Sequence, residues 1–250
     1  MRVLAIYSIK GGVGKTASAV NLAYAASRDQ ARTLLWDLDP QGASTFYFRV
    51  KPKVKGGIKS LLRRKRAADR LVKATDYAYL DLLPADLSYR YADLIVHGMQ
   101  KPLKKIKKVI KPLRDDYDVL LLDCPPSVSL WSENVLQVVE AVIVPVIPTT
   151  LSLRTLEQLR ALCDAQEYRH VKILPFFSMV DRRKNLHRTV LEELPRQFPG
   201  ILQTQIPYAS VVEQMGLHRA PLETYAAHSL VAEHYRALWQ EVRAELRLGR

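Results

Sequence analysis

The chain has 250 residues and a mass of 28.5 kDa, with 48% hydrophobic and 25% charged residues. This composition is ordinary for a globular protein and suits one α/β domain with a well-buried core. No apolar run approaches the roughly 20 residues of a membrane span, which argues against a membrane-spanning protein. The 38 Lys and Arg residues against 25 Asp and Glu residues give a net charge of +13. This excess indicates a polyanionic partner, nucleic acid first and an anionic membrane second.

Short apolar runs alternate with stretches of helical spacing along the chain. The runs predict strands at residues 2–9, 32–39, 78–86, 117–126, 140–148, 171–180 and 201–207. Helices are predicted at residues 16–27, 151–168, 185–197 and 229–248. Strands that are apolar on both faces and alternate with helices are typical of the α/β class. We therefore predict a single domain over residues 1–250, with a doubly wound, mostly parallel sheet and helices on both faces.

Two strongly basic segments interrupt this alternation. Residues 51–73 carry ten basic residues and one acid, Asp69, so we expect a surface excursion there. Residues 101–113 place apolar side chains at helical intervals. The lysines of this second segment are predicted to share a separate face: Lys101, Lys104, Lys105 and Lys108.

The cysteines and the N-terminus bear on the compartment. Cys124 and Cys163 show no C-x-x-C spacing, so neither a disulfide framework nor a metal cluster is indicated. The opening stretch "MRVLAIYSIK" has an apolar core too short for a signal peptide and runs into a glycine loop. A reduced, cytosolic compartment is expected.

A phosphate-binding pattern follows the first predicted strand. The stretch "SIKGGVGKT", residues 8–16, ends in the G-K-T of a nucleotide-binding loop. Ile9 stands where the usual pattern has its first glycine, and a second lysine, Lys10, comes next. One lysine is enough to hold the phosphates, so Lys10 requires a separate explanation.

The rest of the loop supplies the parts of a nucleotide site. Gly11, Gly12 and Gly14 allow the backbone N–H groups to approach a polyphosphate, which the dipole of the next helix also favours. Lys15 is predicted to contact the β- and γ-phosphates, and the Thr16 hydroxyl is predicted to bind Mg²⁺.

Three aspartates come at the ends of predicted strands. Asp123 ends "YDVLLLD", where it is expected to lie beside the loop and hold the metal. Asp37 and Asp39 end the second strand, and strand alternation is expected to put both on one face. Phosphoryl transfer needs such groups to hold the metal and orient a water.

Three motifs in this order and spacing resemble the ParA/MinD family of deviant Walker A ATPases. They are "KGGVGKT", "DLDPQGAS" and "YDVLLLDCPPS". The similarity continues through "LDLLPADLS", "MVDRRKNL" and "IPYASVVEQMGLHRAPLETY", so it covers nearly the whole chain. The loop is more similar to the ParA branch than to MinD, whose loop has a glycine before the first lysine. The resemblance implies a P-loop NTPase fold of the deviant Walker A type.

The resemblance implies a role for each motif residue. Lys10 is expected to cross a sandwich dimer to the partner's nucleotide, like an arginine finger supplied in trans. Asp39 is expected to orient the attacking water, with Lys10 and Lys15 as the other catalytic residues. Thr16, Asp37 and Asp123 are the expected magnesium ligands. The implied nucleotide-binding set is Lys10, Gly11, Gly12, Val13, Gly14, Lys15, Thr16, Ala17 and Pro207.

The resemblance also implies cofactors and partners. ATP and Mg²⁺ are the expected cofactors, and the ATP state is expected to be a homodimer that binds DNA without sequence preference. A ParB-like or cargo-adaptor protein is expected to stimulate hydrolysis, and the location is expected to be cytoplasmic and nucleoid-associated. The candidate DNA contacts are Arg182, Arg183, Lys184, Arg188, Arg219, Lys104 and Lys108, together with the basic run at residues 63–66.

This sequence departs from the family pattern at two places. Family loops usually continue G-K-T-T, whereas Ala17 removes a hydroxyl that bonds the α-phosphate, a loss on the order of 1 kcal/mol. After the Ile-Pro at residues 206–207, many chromosomal members carry a basic run, and this chain has "YASVVEQMG" instead. The usual DNA contact is therefore not expected at that place.

Two alternatives remain at this point. Apolar and basic residues in the last helix could form a membrane anchor like that of MinD, although packing on the sheet is the simpler expectation. A P-loop small-molecule kinase or synthase is the second alternative. It needs an acceptor pocket, for which the sequence shows no further constellation of residues.

Overall fold

The computed structural model describes residues 1–63, 68–164 and 167–247. Its strands are β1 (Arg2–Ile6), β2 (Thr33–Asp37), β3 (Lys73–Ala74), β4 (Leu80–Leu83), β5 (Val119–Asp123), β6 (Ala141–Val146), β7 (Lys172–Val180) and β8 (Gln205–Pro207). They form one eight-stranded sheet in the order β3-β4-β2-β5-β1-β6-β7-β8. Every neighbouring pair is parallel except β3 with β4 at one edge. The strand order reverses around β1, so the loop after β1 opens at the carboxyl edge of the sheet, where ligands bind in such folds.

Helices cover both faces of this sheet. They are α1 (Lys15–Arg28), α2 (Ala43–Tyr47), α3 (Gly57–Leu62), α4 (Ala92–His97), α5 (Lys105–Ile110), α6 (Leu130–Leu136), α7 (Thr150–Asp164), α8 (Asn185–Gln197), α9 (Ser210–Glu213), α10 (Met215–His218), α11 (Glu223–Ala226) and α12 (Leu230–Leu246). Short 3₁₀ turns at Ala68–Leu71, Leu87–Tyr91, Pro102–Lys104 and Lys111–Leu113 connect several of them.

The core consists of two layers that the central strands separate. Because successive side chains of a strand point to opposite faces, Val3 and Ala5 pack with α3–α8, whereas Leu4 and Ile6 pack with α1 and α12. Leu34 and Leu35 divide in the same way on β2. The mostly parallel sheet with helices on both faces is therefore confirmed.

The ends of the elements differ from the prediction in physically interpretable ways. The run at 201–207 forms a strand only at β8, although Ile201 and Leu202 are buried. The run at 32–39 stops being a strand at Asp37, so Asp39 lies two residues past β2, and the rule of strand alternation does not apply to it. The predicted helix ends at 165–168 and 248 fall partly on residues outside the described ranges.

The basic excursion at 51–73 is folded over its described part and contains α3, a 3₁₀ turn and β3. The second basic segment forms α5 between two 3₁₀ turns. One prediction here is wrong: Lys105 does not share the solvent face, because it is buried and its backbone N–H donates to Asn134 Oδ1 at 3.0 Å. Helix α6 therefore covers that position.

Helix α12 packs on α1 with its apolar side. Tyr235, Leu238 and Val242 are buried against this layer, whereas Leu230 at the helix start is exposed. These three side chains are therefore covered by the protein and are not available to insert into a membrane. Among the described residues, no helix combines the length and apolar character needed to cross a membrane.

Truncation of Leu238 tests the packing of α12. We expect Leu238→Ala to lower the free energy of unfolding by about 2–5 kcal/mol, because it leaves a cavity under the helix. Leu230→Ala on the same helix is the matched control and should change it by no more than about 0.5 kcal/mol. Urea denaturation of both variants provides the measurement, and equal effects would contradict the packing described here.

Candidate nucleotide-binding site

The glycine loop connects β1 to α1 in a backbone conformation that needs glycine. Gly12 and Gly14 have φ values of 68° and 88°, in the left-handed region. A Cβ on Gly14 would also lie 3.0 Å from Ser178 Oγ. Within the described part of the chain, the backbone N–H groups of residues 11–14 find no acceptor. The loop therefore presents unpaired donors at the start of a helix, the arrangement that binds anions.

The two lysines of the loop have different surroundings. Lys15 is buried, and its Nζ donates to the carbonyl of Lys10 at 2.9 Å. Burial lowers the pKa of Lys15, and the negative charge of Asp123 partly opposes this effect. Lys10 turns the other way, and its Nζ donates to Ser152 Oγ at the start of α7, at 3.3 Å. Lys15 thus lies inside the loop, whereas Lys10 lies at its rim.

Two aspartates meet at the carboxyl ends of adjacent strands. Asp37 and Asp123 are register partners in the β2–β5 pair, and both are buried. Asp37 Oδ2 accepts hydrogen bonds from the backbone N–H and the hydroxyl of Thr45, at 2.8 and 2.7 Å. Asp123 Oδ2 accepts one from Ser44 Oγ at 2.7 Å, while its Oδ1 has no partner within the described residues.

The electrostatics of this pair follow from burial and proximity. Burial raises the pKa of Asp37, and the adjacent Asp123 raises it further, against the lowering effect of the Thr45 hydrogen bonds. Burial likewise raises the pKa of Asp123, which hydrogen bonds from Ser44 and Thr16 oppose. Burial and proximity therefore make both carboxyl groups harder to ionise, Asp37 more than Asp123.

These residues fit a magnesium–nucleotide complex. The unpartnered Asp123 Oδ1 and the nearby Thr16 hydroxyl supply oxygen ligands, and buried Lys15 supplies positive charge for phosphate. No described group of three or more His, Cys, Asp or Glu is arranged to hold a metal. Mg²⁺ binds through one or two carboxylates plus the phosphates of its nucleotide, and Asp37 and Asp123 are two such carboxylates.

A groove beside the loop extends the site. Pro207, predicted from the family pattern, lies in this groove with Gly14 and Ala17. Met179 also lines it and has a left-handed φ of 53°, where β7 and β8 shift register. The other lining residues include Ser178, Ile206, Tyr208, Val212 and Tyr235.

The basic residues at the start of α8 are largely engaged within the chain. Arg183 pairs with Asp181 at 2.9 Å, and Arg182 donates to Gln205 at 3.1 Å. Arg188 donates to Asn185, one turn away on the same helix, and Lys184 is exposed.

Arg219 is also committed to a contact within the chain. Its guanidinium lies 4.5 Å from the centroid of the Phe46 ring and donates to the Phe46 carbonyl at 3.1 Å. On the other basic segment, Lys104 is exposed and Lys108 is half-buried. Of the run at 63–66, only Arg63 lies within the described residues.

Comparison with known proteins identifies the family. A family model described as an AAA domain matches residues 1–173. The sporulation initiation inhibitor protein Soj of Bacillus subtilis is 30% identical over 249 residues, covering 97% of this chain and 98% of Soj. This chain belongs to the ParA/Soj family of deviant Walker A ATPases. The chromosome partitioning protein ParA of Myxococcus xanthus is 29% identical, and the match covers 96% of this chain and 87% of the Myxococcus protein.

A solved structure supports the fold. A Mycobacterium smegmatis protein, named as cobyrinic acid a,c-diamide synthase, superposes with a TM-score of 0.80 and is 28% identical. The match covers 100% of this chain and 97% of that one, and that protein was solved with bound ADP and magnesium. The mycobacterial protein thus shares the fold of this chain and binds a magnesium nucleotide.

Several residues at the site were not predicted from the sequence. Ser44 and Thr45 hold the two carboxylates, and Ser152 holds Lys10. Ser44 lies in the "DLDPQGAS" motif, so its hydroxyl was a detectable signal. Ser152 and Met179 come from distant elements and carry no local pattern.

The raised pKa of Asp37 predicts a pH dependence of stability without nucleotide. A carboxyl group whose pKa is higher in the folded chain stabilises the fold most fully below its unfolded pKa, near 4. That contribution is lost as pH rises through the folded pKa. We expect a loss on the order of 2 kcal/mol from acid to mildly alkaline pH. Asp37→Asn, which imitates the protonated carboxyl, should flatten the profile.

Thermal unfolding at a series of pH values measures this effect. Asp69→Asn removes an exposed carboxylate and should keep the wild-type profile. The same slope for Asp37→Asn and wild type would show that the buried pair does not control the pH response.

Proposed function

We propose that this chain is a Mg²⁺-dependent ATPase of the partitioning and positioning kind. The observation that carries the proposal is the loop with two lysines, one buried inside it and one at its rim. A single lysine serves the nucleotide in cis, so the second is available to another copy. ATP binding drives a sandwich homodimer, which binds DNA without sequence preference.

The chain's own residues supply the steps of hydrolysis. The loop N–H groups and Lys15 bind and orient the phosphates. Met179, Pro207 and Tyr208 border the groove beside the loop, to which we assign the base of the nucleotide. Asp39 is half-buried beyond β2, where its carboxylate orients the attacking water. Thr16, Asp37 and Asp123 would hold Mg²⁺, which would neutralise phosphate charge.

Lys10 completes the site of the partner copy. In the single chain its ammonium group donates to Ser152 instead, and its own carbonyl accepts from Lys15. Dimerisation therefore exchanges the Ser152 contact for the partner's phosphates. An added cation near the γ-phosphate is the kind of contribution that raises phosphoryl-transfer rates by orders of magnitude.

A partner protein of the ParB or cargo-adaptor type is proposed to stimulate this slow hydrolysis. Release from DNA after hydrolysis then moves or positions the cargo, in a cytoplasmic, nucleoid-associated cycle. The names of two relatives at about 30% identity, Soj and ParA, support this proposal.

A synthase is the second candidate, favoured by the name of the mycobacterial neighbour. Such an enzyme uses the same nucleotide site to activate a small molecule. Only the partitioning ATPase, as proposed, uses Lys10 across a dimer. The behaviour of a Lys10 variant therefore separates the two candidates.

Lys10→Ala provides this test. We expect the variant to bind ATP like the wild type, because Lys15 remains, but to lose ATP-dependent dimerisation and DNA binding. Light scattering measures the dimer, and fluorescence anisotropy with a random-sequence duplex measures DNA binding with ATP, with ADP and without nucleotide. Lys15→Ala is the matched control and should lose nucleotide binding itself.

Wild-type DNA binding should require ATP and should weaken steeply with salt. Full DNA binding by Lys10→Ala, or binding that ignores the nucleotide, would contradict the proposal. Retained hydrolysis without any dimer would favour the synthase.

A further inference from the structure

Two basic segments that are far apart in the sequence pack side by side in the fold. Ile58, Leu61 and Leu62 of α3 share one buried cluster with Ile106 and Val109 of α5. The 3₁₀ turn at Ala68–Leu71 likewise contacts the turn at Lys111–Leu113. The solvent sides of both segments therefore form one continuous surface.

The pKa of a lysine at this junction supports the proximity of the two segments. Burial lowers the pKa of Lys105, and the positive charges of Lys108 and Arg63 lower it further. Arg63, which follows α3, thus lies near the first turn of α5.

The net charge of the protein is concentrated here. Residues 51–63 have five basic residues and no acid, and residues 101–114 have seven basic residues and no acid. Their combined charge of +12 compares with +13 for the whole chain. These two described segments therefore carry a charge nearly equal to the net charge of the protein.

These cations are exposed and lack acidic partners. Lys59, Arg63, Lys104 and Lys107 are exposed, and within the described ranges no basic side chain of 51–63 or 101–114 takes part in an ion pair. Before α8, by contrast, Arg183 is paired with Asp181 and Arg182 donates to Gln205. Cations without acidic partners can neutralise phosphates without first breaking an internal contact.

The surface is anchored to the core. The backbone N–H of Val54 donates to Asp86 Oδ2 at 2.7 Å, and that of Ile58 donates to Ser88 Oγ at 2.8 Å. Both acceptors lie just after β4. The cations therefore project from a fixed backbone, which reduces the entropy lost on binding.

We propose that the exposed Lys and Arg side chains of residues 51–63 and 101–114, here called the α3–α5 basic surface, bind the phosphate backbone of nucleic acid. This inference rests on the proposed function and assigns its DNA contact to α3 and α5, away from the loop before α8. A nucleic acid is favoured over a membrane because the described part of this surface exposes no large hydrophobic side chain that could insert into lipid.

Dimerisation explains how DNA binding by a preformed surface comes to depend on the nucleotide. Each copy carries one basic surface, and phosphate contacts add to the salt-dependent affinity. When two copies are joined, the second surface binds at a high effective concentration. ATP then controls DNA binding through the number of surfaces held together.

Charge-neutralising pairs test the assignment. Lys59→Gln with Arg63→Gln, and separately Lys104→Gln with Lys107→Gln, remove two charges from each half of the surface. Arg182→Gln with Lys184→Gln removes the same charge from the loop before α8. DNA affinity is measured by anisotropy over a salt series with a non-hydrolysable ATP analogue, and dimerisation and thermal unfolding are measured in parallel.

We expect each α3–α5 pair to weaken DNA binding about tenfold or more and to reduce the salt slope by about 0.9 for each lost phosphate contact. The pair before α8 should change affinity less than about twofold. Dimerisation and melting temperature should stay at wild-type values in all three variants.

Three results would overturn the assignment. They are loss of binding only in the pair before α8, unchanged binding in both α3–α5 pairs, and wild-type binding to anionic liposomes but not to DNA. Failure of the proposed function is distinguishable, because it appears as a wild-type protein that does not dimerise with ATP. DNA binding that is lost in the α3–α5 pairs of such a protein still supports the surface.

Discussion

Two buried carboxyl groups at the ends of adjacent parallel strands are the constraint on which the site depends. Asp37 and Asp123 are register partners, so the β2–β5 pairing fixes their separation. Water is largely excluded, and each carboxyl group raises the cost of ionising the other. The hydroxyl groups of Ser44 and Thr45 donate hydrogen bonds to Asp123 and Asp37, and one oxygen of Asp123 remains for a cation. The apolar strands that build the core thus also place two buried carboxyl groups where a bound cation would stabilise their charged forms.

The two lysines of the loop are connected to each other by a hydrogen bond. Lys15 is buried beside the carboxylates, and its Nζ bonds to the carbonyl of Lys10. The backbone position of Lys10 therefore depends on Lys15, the lysine proposed to bind phosphate. A ligand that draws Lys15 Nζ away from that carbonyl removes a hydrogen bond to the backbone of Lys10, at the rim of the loop. In the proposed function, this backbone group links nucleotide binding to dimerisation.

The sequence predicts those parts of the structure that depend on neighbours along the chain. The glycine loop, Lys15 and the buried strands follow from local spacing, and the family resemblance adds Lys10 and Pro207. The pairing of Asp37 with Asp123 depends on strand order, which no local pattern contains. The burial of Lys105 depends on Asn134 of α6, and the union of the two basic segments depends on apolar packing between α3 and α5. Those features required the three-dimensional structure.

One copy is proposed to complete the ATPase site of another, and mixed variants test this most directly. Lys10→Ala leaves a site that lacks only its partner's lysine, whereas Asp39→Ala leaves Lys10 intact beside a site that cannot orient water. The measurement is ATP hydrolysis by each variant alone and by an equal mixture. The account predicts two inactive variants and a mixture that regains activity. A mixture as inactive as its components, with mixed dimers demonstrated, would contradict the action of Lys10 in trans.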